Sequence, residues 1–336
     1  MRSNCRDVIL FLMESKIRVG VLRGGPSSEY DVSLKSGSTV LKNLPSRYAP
    51  IDIFISKDGE WHQGGIVRSP DKIFSNVDVI FNALHGEYGE DGGVQKILDA
   101  HQIPYTGSGT VASALAMNKI LTKERLKKEG VKIPLHVVAK TGDDVGEKVE
   151  EVFRSFSPPY VVKPVSLGSS VGVIIVKTIF DLVEALAEAS ELTDTILIEE
   201  GILGREATCG VINHFRGEHI YPLLPIEILP PEKNGFYDYD AKYVSNDTRY
   251  MLPGNFSADE KKTIQDVSAL AHDILGLRHY SRSDFIVSPR RGVYFLEVNT
   301  LPGLTDHSLV PKSLDAIGCS LPQFFDHLLT LAMERR

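Results

Sequence analysis

Four polar residues near the C-terminal end of the chain have the types and the spacing of a cation-binding site. Two runs of strand-forming residues flank a polar turn, and a hairpin centred between residues 290 and 291 places Asp284 opposite Glu297 and Arg282 opposite Asn299. Because side chains alternate along a strand, all four are expected on one face. Two carboxylates directly across a ladder repel each other. A bound cation reverses this effect, and Asp, Glu and Asn supply the hard oxygen ligands that Mg²⁺ shares with substrate phosphates.

The loop after the hairpin favours this interpretation over a solvated sheet face. Taken alone, Asp284 and Glu297 fit either a cation site or an exposed pair of acids. The segment NTLPGLTDHS at 299–308 contains two turn formers and leaves the strand that carries the second carboxylate. A site at the mouth of a sheet is expected to have this arrangement.

A second candidate site is the loop in YVVKPVSLGSSVGV at 160–173, which lies between two predicted strands. Its glycines let the backbone fold tightly, so that backbone N–H groups and the hydroxyls of Ser169 and Ser170 could surround phosphate oxygens. Lys163, at the end of the preceding strand, could neutralise phosphate charge. The run Gly-Lys-Ser/Thr is absent, which disfavours a P-loop NTPase. An ordinary hairpin turn is the alternative.

Two glycine-rich segments in the first third of the chain also carry charged groups. The segment GGPSSE at 24–29 does not fit the dinucleotide fingerprint, and Glu29 is either a favourable helix-dipole contact or the anchor of an ammonium group. The segment HGEYGEDGG at 85–93 has glycines that permit a close backbone approach to a ligand. Its His85 is either a ligand contact or a structural histidine.

The elements that position these groups form three successive patterns. In the first, strands alternate with helices, which predicts a parallel sheet with helices on its faces. These strands are predicted at 17–22, 51–57, 77–84 and 103–107. The second pattern predicts helices packed on an antiparallel sheet. Its helices are predicted at 110–129, with Thr110 as N-cap and Gly130 as stop, and at 179–189, and its strands at 135–139, 160–164, 171–176 and 195–200. The third pattern comprises strands at 205–215 and 218–229, a helix at 258–275 with a Ser257–Glu260 capping box, and the hairpin.

These patterns predict a short extension and three domains. Residues 1–15 precede the first strand and are expected to be an N-terminal extension. Domains are predicted at 16–107, 108–203 and 204–336. Within the last, the irregular segment 230–255 is long enough to be a functional lid.

The bulk properties exclude several classes of protein. A length of 336 residues agrees with two or three domains, and the net charge of −7 argues against a general nucleic-acid binder. No apolar run approaches the about 20 residues that span a bilayer, so no membrane association is expected. Cys5, Cys209 and Cys319 lie far apart without metal-ligand spacing. They indicate reduced thiols in a cytoplasmic protein.

Taken together, eight segments resemble the D-alanine–D-alanine ligase family of the ATP-grasp superfamily. They occur in the family's order and span nearly all of 17–320. The segments are GGPSSEYDVSLKSG, ALHGEYGEDG, YTGSGTVASALAMNK, VVKPVSLGSSVGV, LIEEGILGRE, YDYDAKY, RSDF and EVNTLPGLTDHS.

The resemblance implies a fold and a reaction. The fold is α/β (α+β), an ATP-grasp architecture with a Rossmann-like N-terminal domain, a small central domain and a larger C-terminal domain, and with ATP held between the last two. The reaction is ATP-dependent ligation of two D-alanines through a D-alanyl phosphate, which gives D-alanyl-D-alanine for peptidoglycan precursors together with ADP and phosphate. A homodimer formed through the N-terminal domain is also implied.

The resemblance assigns roles to residues at matching motif positions. ATP contacts are implied for Lys119, Lys163, Ser170, Glu199, Glu200, Ile202 and Glu206. Catalytic roles are implied for Glu29, Ser169, Tyr243, Arg282 and Gly303, and substrate contacts for His85, Lys242, Ser308 and Leu309. Two Mg²⁺ ions, or Mn²⁺, are expected at Asp284, Glu297 and Asn299.

Three alternatives remain open at this point. A ligase that takes D-serine or D-lactate as its second substrate would keep the same ATP and metal residues, although Tyr243 favours an amine acceptor over lactate. A non-catalytic nucleotide-binding module is disfavoured because the metal carboxylates and the phosphate lysines are all present. A dinucleotide-dependent oxidoreductase is disfavoured because the glycine fingerprint is missing.

Overall fold

A computed structural model of the chain describes residues 16–168, 171–229 and 249–334. Its first sheet has the order β4-β3-β2-β1-β5, with β1 parallel to β2 and β5, and β3 and β4 antiparallel at one edge. The strands are β1 (Ile17–Gly24), β2 (Tyr48–Ile55), β3 (Trp61–Gln63), β4 (Ile66–Val67) and β5 (Val79–Asn82). The helices of this part are α1 (Tyr30–Asn43), α2 (Pro70–Phe74) and α3 (Gly93–Ala100).

The predicted parallel sheet is confirmed at its centre and wrong at its edges. The antiparallel strands β3 and β4 were not predicted. The strand predicted at 103–107 is absent, since Tyr105 makes only an isolated bridge to Ile80. The glycine turn after β1 is required by geometry, because Gly24 has φ +91° and a Cβ there would lie 2.2 Å from the backbone oxygen of Ile55. This turn leads directly to Glu29 at the start of α1.

The second sheet is antiparallel, with the order β6-β9-β7-β8, and helices pack on it as predicted. Its strands are β6 (His136–Lys140), β7 (Tyr160–Pro164), β8 (Ile174–Val176) and β9 (Thr195–Glu200). Its helices are α6 (Val145–Ser155) and α7 (Leu182–Ser190), the latter preceded by a 3₁₀ turn at Ile179–Asp181. The apolar faces of the sheet and helices form one core around Val152, Tyr160 and Ile198.

The single helix predicted at 110–129 is wrong, because two helices occupy this stretch. They are α4 (Thr110–Met117), capped by Gly109 rather than by Thr110, and α5 (Lys119–Lys128). Asn118 separates them with extended backbone at φ −80° and ψ 101°. Its side chain accepts hydrogen bonds from the backbone N–H groups of Ile120 and Leu121, at 3.1 and 3.0 Å, so it caps the new helix. Lys119 therefore becomes the first residue of α5.

The third sheet has the order β13-β12-β10-β14-β15, with β11 also paired to β10. Its strands are β10 (Arg205–Phe215), β11 (Glu218–Pro222), β12 (Ile226–Leu229), β13 (Arg249–Met251), β14 (Tyr280–Ser288) and β15 (Gly292–Asn299). The strand predicted at 218–229 is thus split in two. Helices α8 (Ala258–Ile274), α9 (Leu309–Ala316) and α10 (Leu321–Glu334) complete this part. The predicted capping box at Ser257 and Glu260 is confirmed.

The C-terminal helix α10 packs against the first sheet. The rings of Phe81 on β5 and Phe325 on α10 meet edge to face, with centroids 5.2 Å apart. Leu301 and Leu304 belong to the same apolar cluster. The segment after the hairpin is thereby held beside α1. Across 16–168, 171–229 and 249–334, no helix has the length and apolarity needed to cross a membrane.

Candidate active site

The hairpin at the centre of the sequence prediction is present, with its four polar residues in the predicted register. Asp284 pairs with Glu297, and Arg282 pairs with Asn299. A β-bulge follows Asp284, so Phe285 pairs with Phe295, one residue away from the predicted partner. The prediction is therefore confirmed at the site and wrong towards the turn.

Asp284 is fixed by donors on three sides. The Arg282 guanidinium donates to both carboxylate oxygens, from Nε at 2.9 Å and from Nη2 at 2.8 Å. The Thr208 hydroxyl donates to Oδ1 at 2.6 Å, and the Asn299 side-chain amide donates to Oδ2 at 3.1 Å. These contacts hold the carboxylate rigidly. Since the amide nitrogen of Asn299 faces Asp284, its oxygen is the atom available to a cation.

The hairpin residues fit a cation that is bound together with phosphate. Within the described ranges, no cluster of three or more His, Cys, Asp and Glu side chains could hold a metal ion by itself. Asp284 and Glu297 with the amide of Asn299 form an all-oxygen set with too few ligands for a closed site. Mg²⁺ is commonly bound in this way, through one or two carboxylates, with substrate phosphates and water completing the shell.

A cleft of about 280 Å³ lies between the second and third sheets and collects most of the predicted ATP residues. One end is apolar, with Val161, Ile175, Leu203 and Ile228 among its walls. The other end is charged. The predicted residues that line the cleft are Lys119, Lys163, Glu199, Glu200, Ile202, Glu206, Asp284 and Glu297. An apolar slot continuous with a charged end suits a molecule with a flat base and a phosphate chain.

The charged end contains a buried cluster in which two lysines share one carboxylate. Glu199 is 2% exposed, with Lys163 Nζ 2.6 Å from Oε2 and Lys123 Nζ 2.7 Å from Oε1. Although burial opposes ionisation of Glu199, the two lysines lower its pKa. Burial lowers the pKa of Lys123 to about 8, against the attraction of Glu199.

Lys119 reaches the same end of the cleft from the start of α5. Its ammonium group donates to the backbone oxygen of Leu167 at 2.6 Å and lies 3.6 Å from the Glu297 carboxylate. Burial lowers its pKa, which Glu297 partly offsets. Lys119 thus links the loop within 160–173, at Leu167, to the hairpin, at Glu297.

The carboxylate of Glu200 is held away from the cleft. Arg291, at the tip of the hairpin, donates to both of its oxygens at 2.9 Å, and the Leu135 backbone N–H donates to Oε1 at 3.1 Å. The side chain of Glu200 therefore ties β9 to the hairpin.

A small cavity of about 20 Å³ extends from the charged end towards the first sheet. Lys119 and Glu297 line both this cavity and the main cleft, and Asn299 and Gly168 line the small one. At Gly168, an added Cβ would lie 2.7 Å from Oε1 of Glu29, which is 5% exposed. A side chain at position 168 would thus displace Glu29, the residue predicted to bind the ammonium group of the first substrate.

His85 is held by the protein at both ring nitrogens. Nδ1 lies 2.7 Å from the backbone oxygen of Leu301, so Nδ1 carries the proton and donates. Nε2, at 2.7 Å, accepts from the Ser36 hydroxyl, which itself accepts the Leu304 backbone N–H at 3.1 Å. Burial lowers the pKa of His85, in agreement with this neutral tautomer. A direct substrate contact would require His85 to exchange one of these bonds.

Glu90 is a second link between the same loops, and sequence reasoning did not single it out. One oxygen accepts the Gly86 backbone N–H at 3.0 Å, and the other accepts the Thr300 and Leu301 backbone N–H groups, both at 3.0 Å. Burial and the nearby Glu29 raise the pKa of Glu90 to about 7. The sequence signal that pointed to Glu90 was the presence of three acidic residues in the segment at 85–93.

The residues expected at the second-substrate end lie together after the hairpin. Ser308 caps α9, and its hydroxyl accepts the Thr305 backbone N–H at 3.0 Å. A Cβ on Gly303 would lie 2.8 Å from that hydroxyl, and Leu309 is buried at the first position of α9. The predicted Ser169, Ser170, Lys242 and Tyr243, the extension at 1–15 and positions 230–248 of the predicted lid lie outside the described residues.

Comparisons with known proteins show which family the chain resembles. Two protein-family profiles match, "D-ala D-ala ligase N-terminus" at 18–73 and 66–108 and "D-ala D-ala ligase C-terminus" at 126–330. Curated relatives include the D-alanine–D-alanine ligase of Paraburkholderia phymatum, 39% identical over 94% of this chain and 96% of that protein. The D-alanine–D-alanine ligase of Geobacter sulfurreducens is 40% identical over 94% of each.

Solved structures share the fold over almost the whole chain. The VanG D-Ala:D-Ser ligase from Enterococcus faecalis is 30% identical with a TM-score of 0.82, covering 95% of this chain and 100% of that one. The D-alanine–D-alanine ligase from Coxiella burnetii is 28% identical with a TM-score of 0.80, covering 95% and 94%. The two profiles and the full-length relatives show that this chain belongs to the D-alanine–D-alanine ligase family.

Proposed function

We propose that this chain joins two D-alanines to D-alanyl-D-alanine with the cleavage of ATP to ADP and phosphate. The observation that supports this most directly is that the cleft and the small cavity share lining residues. Lys119 and Glu297 line both, and Gly168 of the small cavity lies against Glu29. A nucleotide phosphate and an amino-acid carboxylate can therefore meet beside the hairpin.

In this proposal, the nucleotide lies along the cleft with its base in the apolar slot. Glu199 and the main chain from Glu200 to Ile202 contact the adenine, and Glu206 contacts the ribose. Lys119, Lys163 and the loop carrying Ser170 contact the phosphates. The lysines are already buried at the charged end, so they are oriented before the phosphates arrive.

Asp284, Glu297 and Asn299 would hold two Mg²⁺ or Mn²⁺ ions. When bound, such ions neutralise charge on a phosphoryl group during its transfer. The hairpin contributes rigidity, since Arg282 and Thr208 fix the Asp284 carboxylate before any ion binds.

The first D-alanine is proposed to bind with its ammonium group at Glu29, supported by Ser169 and Tyr243. Its carboxylate attacks the γ-phosphorus of ATP, the bond to the ADP oxygen breaks, and D-alanyl phosphate forms. Arg282 stabilises the charge on the reacting carboxylate, and Gly303 offers a backbone N–H to the oxyanion of the second step.

The second D-alanine is proposed to bind near Ser308 and Leu309, with Lys242 as a further substrate contact. His85 is proposed to belong to the subsite of the first D-alanine. Its amine attacks in the neutral form, the C–N bond forms, phosphate leaves, and a proton is released. An acyl phosphate hydrolyses in water, so the segment 230–255 is proposed to close as a lid.

A second candidate function is ligation with D-serine as the acceptor. The observation that favours it is the likeness to the VanG D-Ala:D-Ser ligase, whose whole chain is covered. D-Lactate is a weaker candidate because Tyr243 favours an amine acceptor. All three acceptors are compatible with the same nucleotide cleft.

Phosphate release from the purified protein with ATP, Mg²⁺ and D-alanine tests the proposal. Reactions with L-alanine and with no amino acid are the controls, and mass spectrometry identifies the product. Competition among D-alanine, D-serine and D-lactate at several pH values then ranks the acceptors. Phosphate release that does not depend on any D-amino acid would refute the proposal.

The domain limits at 16–107, 108–203 and 204–336, the cytoplasmic location and the homodimer are also proposals. The homodimer rests on the family resemblance alone. Light scattering on the eluting protein measures its mass directly, and a mass of one chain across the working concentration range would refute it.

A further inference from the structure

Lys123 is a fully buried lysine that does not line the nucleotide cleft. It lies on α5 four residues after Lys119, so both lysines project from one face of the helix. Its side chain is 0% exposed, and its ammonium nitrogen lies 2.7 Å from Glu199 Oε1. Sequence reasoning did not assign it a role, although its spacing from Lys119 was visible.

The two carboxylate oxygens of Glu199 pair with different lysines. Oε2 pairs with Lys163, which lines the cleft beside the site proposed for the phosphates, and Oε1 pairs with Lys123 behind the cleft wall. When ATP binds, the three N–H donors of Lys163 are shared between Oε2 and the negatively charged phosphates. Glu199 therefore loses part of its attraction to Lys163.

A buried carboxylate without a cationic partner takes up a proton, because burial strongly disfavours an unpaired charge. Lys123 prevents this, since it is screened from the cleft and stays with Glu199. The contact between Lys123 Nζ and Glu199 Oε1 is a short one of 2.7 Å, and both of its side chains are at most 2% exposed.

We infer that Lys123 is a positioning residue for the purine: it keeps Glu199 ionised and in place while Lys163 moves to the phosphates. This inference rests on the proposed function, in which Glu199 faces the base. An ionised carboxylate only accepts hydrogen bonds, so it favours a 6-amino purine over a 6-oxo purine, whose oxygen it repels. A protonated Glu199 would lose this preference, because its O–H could donate to the 6-oxo group.

The test compares Lys123→Met with Lys127→Met, which makes the same change at an exposed position of the same helix. Lys123→Met should raise KM for ATP roughly ten- to a hundredfold, as expected when the charge-assisted hydrogen bond between Glu199 and the purine is lost. Its kcat at saturating ATP should stay close to that of the wild type. The preference for ATP over inosine triphosphate should fall. Lys127→Met should change none of these values.

A double-mutant cycle with Glu199→Gln shows whether Lys123 acts through Glu199. If it does, Lys123→Met together with Glu199→Gln should raise KM for ATP no more than Glu199→Gln alone. Lys123→Arg keeps the charge and provides a second variant should Lys123→Met fail to fold. A folded Lys123→Arg should keep the wild-type preference for ATP over inosine triphosphate.

Three results would overturn the inference. One is a folded Lys123→Met with unchanged KM, and another is a raised KM with an unchanged preference for ATP over inosine triphosphate. The third is a Lys123→Arg that loses this preference. Calorimetric ATP binding separates this inference from the proposed reaction: if the wild type binds ATP but makes no dipeptide, the same comparisons are made on Kd. A wild type that binds no ATP would refute both.

Discussion

Replacing Ser36 with alanine should destabilise the protein through two buried groups that lose their only partner in the described network. The Ser36 hydroxyl donates to His85 Nε2 at 2.7 Å and accepts the Leu304 backbone N–H at 3.1 Å. Ser36→Ala leaves an acceptor and a donor without partners inside the protein. It also disconnects α1 from the segment that leads to Gly303.

The size of the effect follows from these two bonds. Each buried group left without a partner costs about 1–3 kcal/mol. The substitution also adds roughly 0.5 kcal/mol to the free energy of unfolding, because alanine has a higher helix propensity than serine. The expected loss is therefore about 1.5–5.5 kcal/mol, a large part of the 5–15 kcal/mol typical of a folded domain.

Urea unfolding measures this loss. The single tryptophan, Trp61, lies in β3 of the first sheet, so its fluorescence reports on the part of the protein that contains Ser36. Ser38→Ala is the matched control, since it makes the same change on the same helix at a partly exposed position. If both variants unfold at the same urea concentration, the hydrogen-bond chain through His85 does not stabilise the protein and the reasoning is refuted.

Four further predictions concern single residues. Glu297→Gln should abolish turnover, because it removes a charge from the proposed metal site, and near-normal activity would contradict that site. Tyr243→Phe should raise KM for the first D-alanine and leave ATP affinity little changed, whereas an unchanged KM would contradict its role in the lid. Asn118→Ala should reduce stability by about 1 kcal/mol and raise KM for ATP, since α5 loses the cap next to Lys119; unchanged values would refute the capping argument. Burial raises the pKa of Cys209 to about 12, so its thiol should resist alkylation at pH 8 until the protein unfolds; rapid labelling of the folded protein would show that it is accessible.

The site hairpin could be predicted because its determinants are local. Strand alternation and the polar turn were sufficient to place Asp284 opposite Glu297. The bulge after Asp284 could not be predicted, since β15 is an edge strand that packs against α4, α5 and α8, and all three are distant from it in sequence. The capping box at Ser257 was likewise predictable, because both of its partners lie within four residues.

The features that could not be predicted from the sequence depend on contacts between segments that are distant along the chain. Ser36 and His85 are 49 residues apart, and no sequence pattern indicates that a serine on α1 fixes the tautomer of that histidine. The importance of Lys123 appears only when β9 brings Glu199 against α5. The strand predicted at 103–107 was wrong for a similar reason, since the first sheet offers that segment only one bridge.

The break at Asn118 shows how a local cap can position charges for function. In an unbroken helix at 3.6 residues per turn, Lys119 and Lys123 would fall within about 60° of Ala112 and Ala116. Ala116 is buried in the apolar core around α8, so a continuous helix would direct both ammonium groups towards apolar side chains. The extended backbone at Asn118 starts a new helix whose first turn faces the cleft, where Glu199 and Glu297 offset the lysine charges. The asparagine side chain caps this new helix, and the break that it makes brings two buried cations within reach of carboxylates.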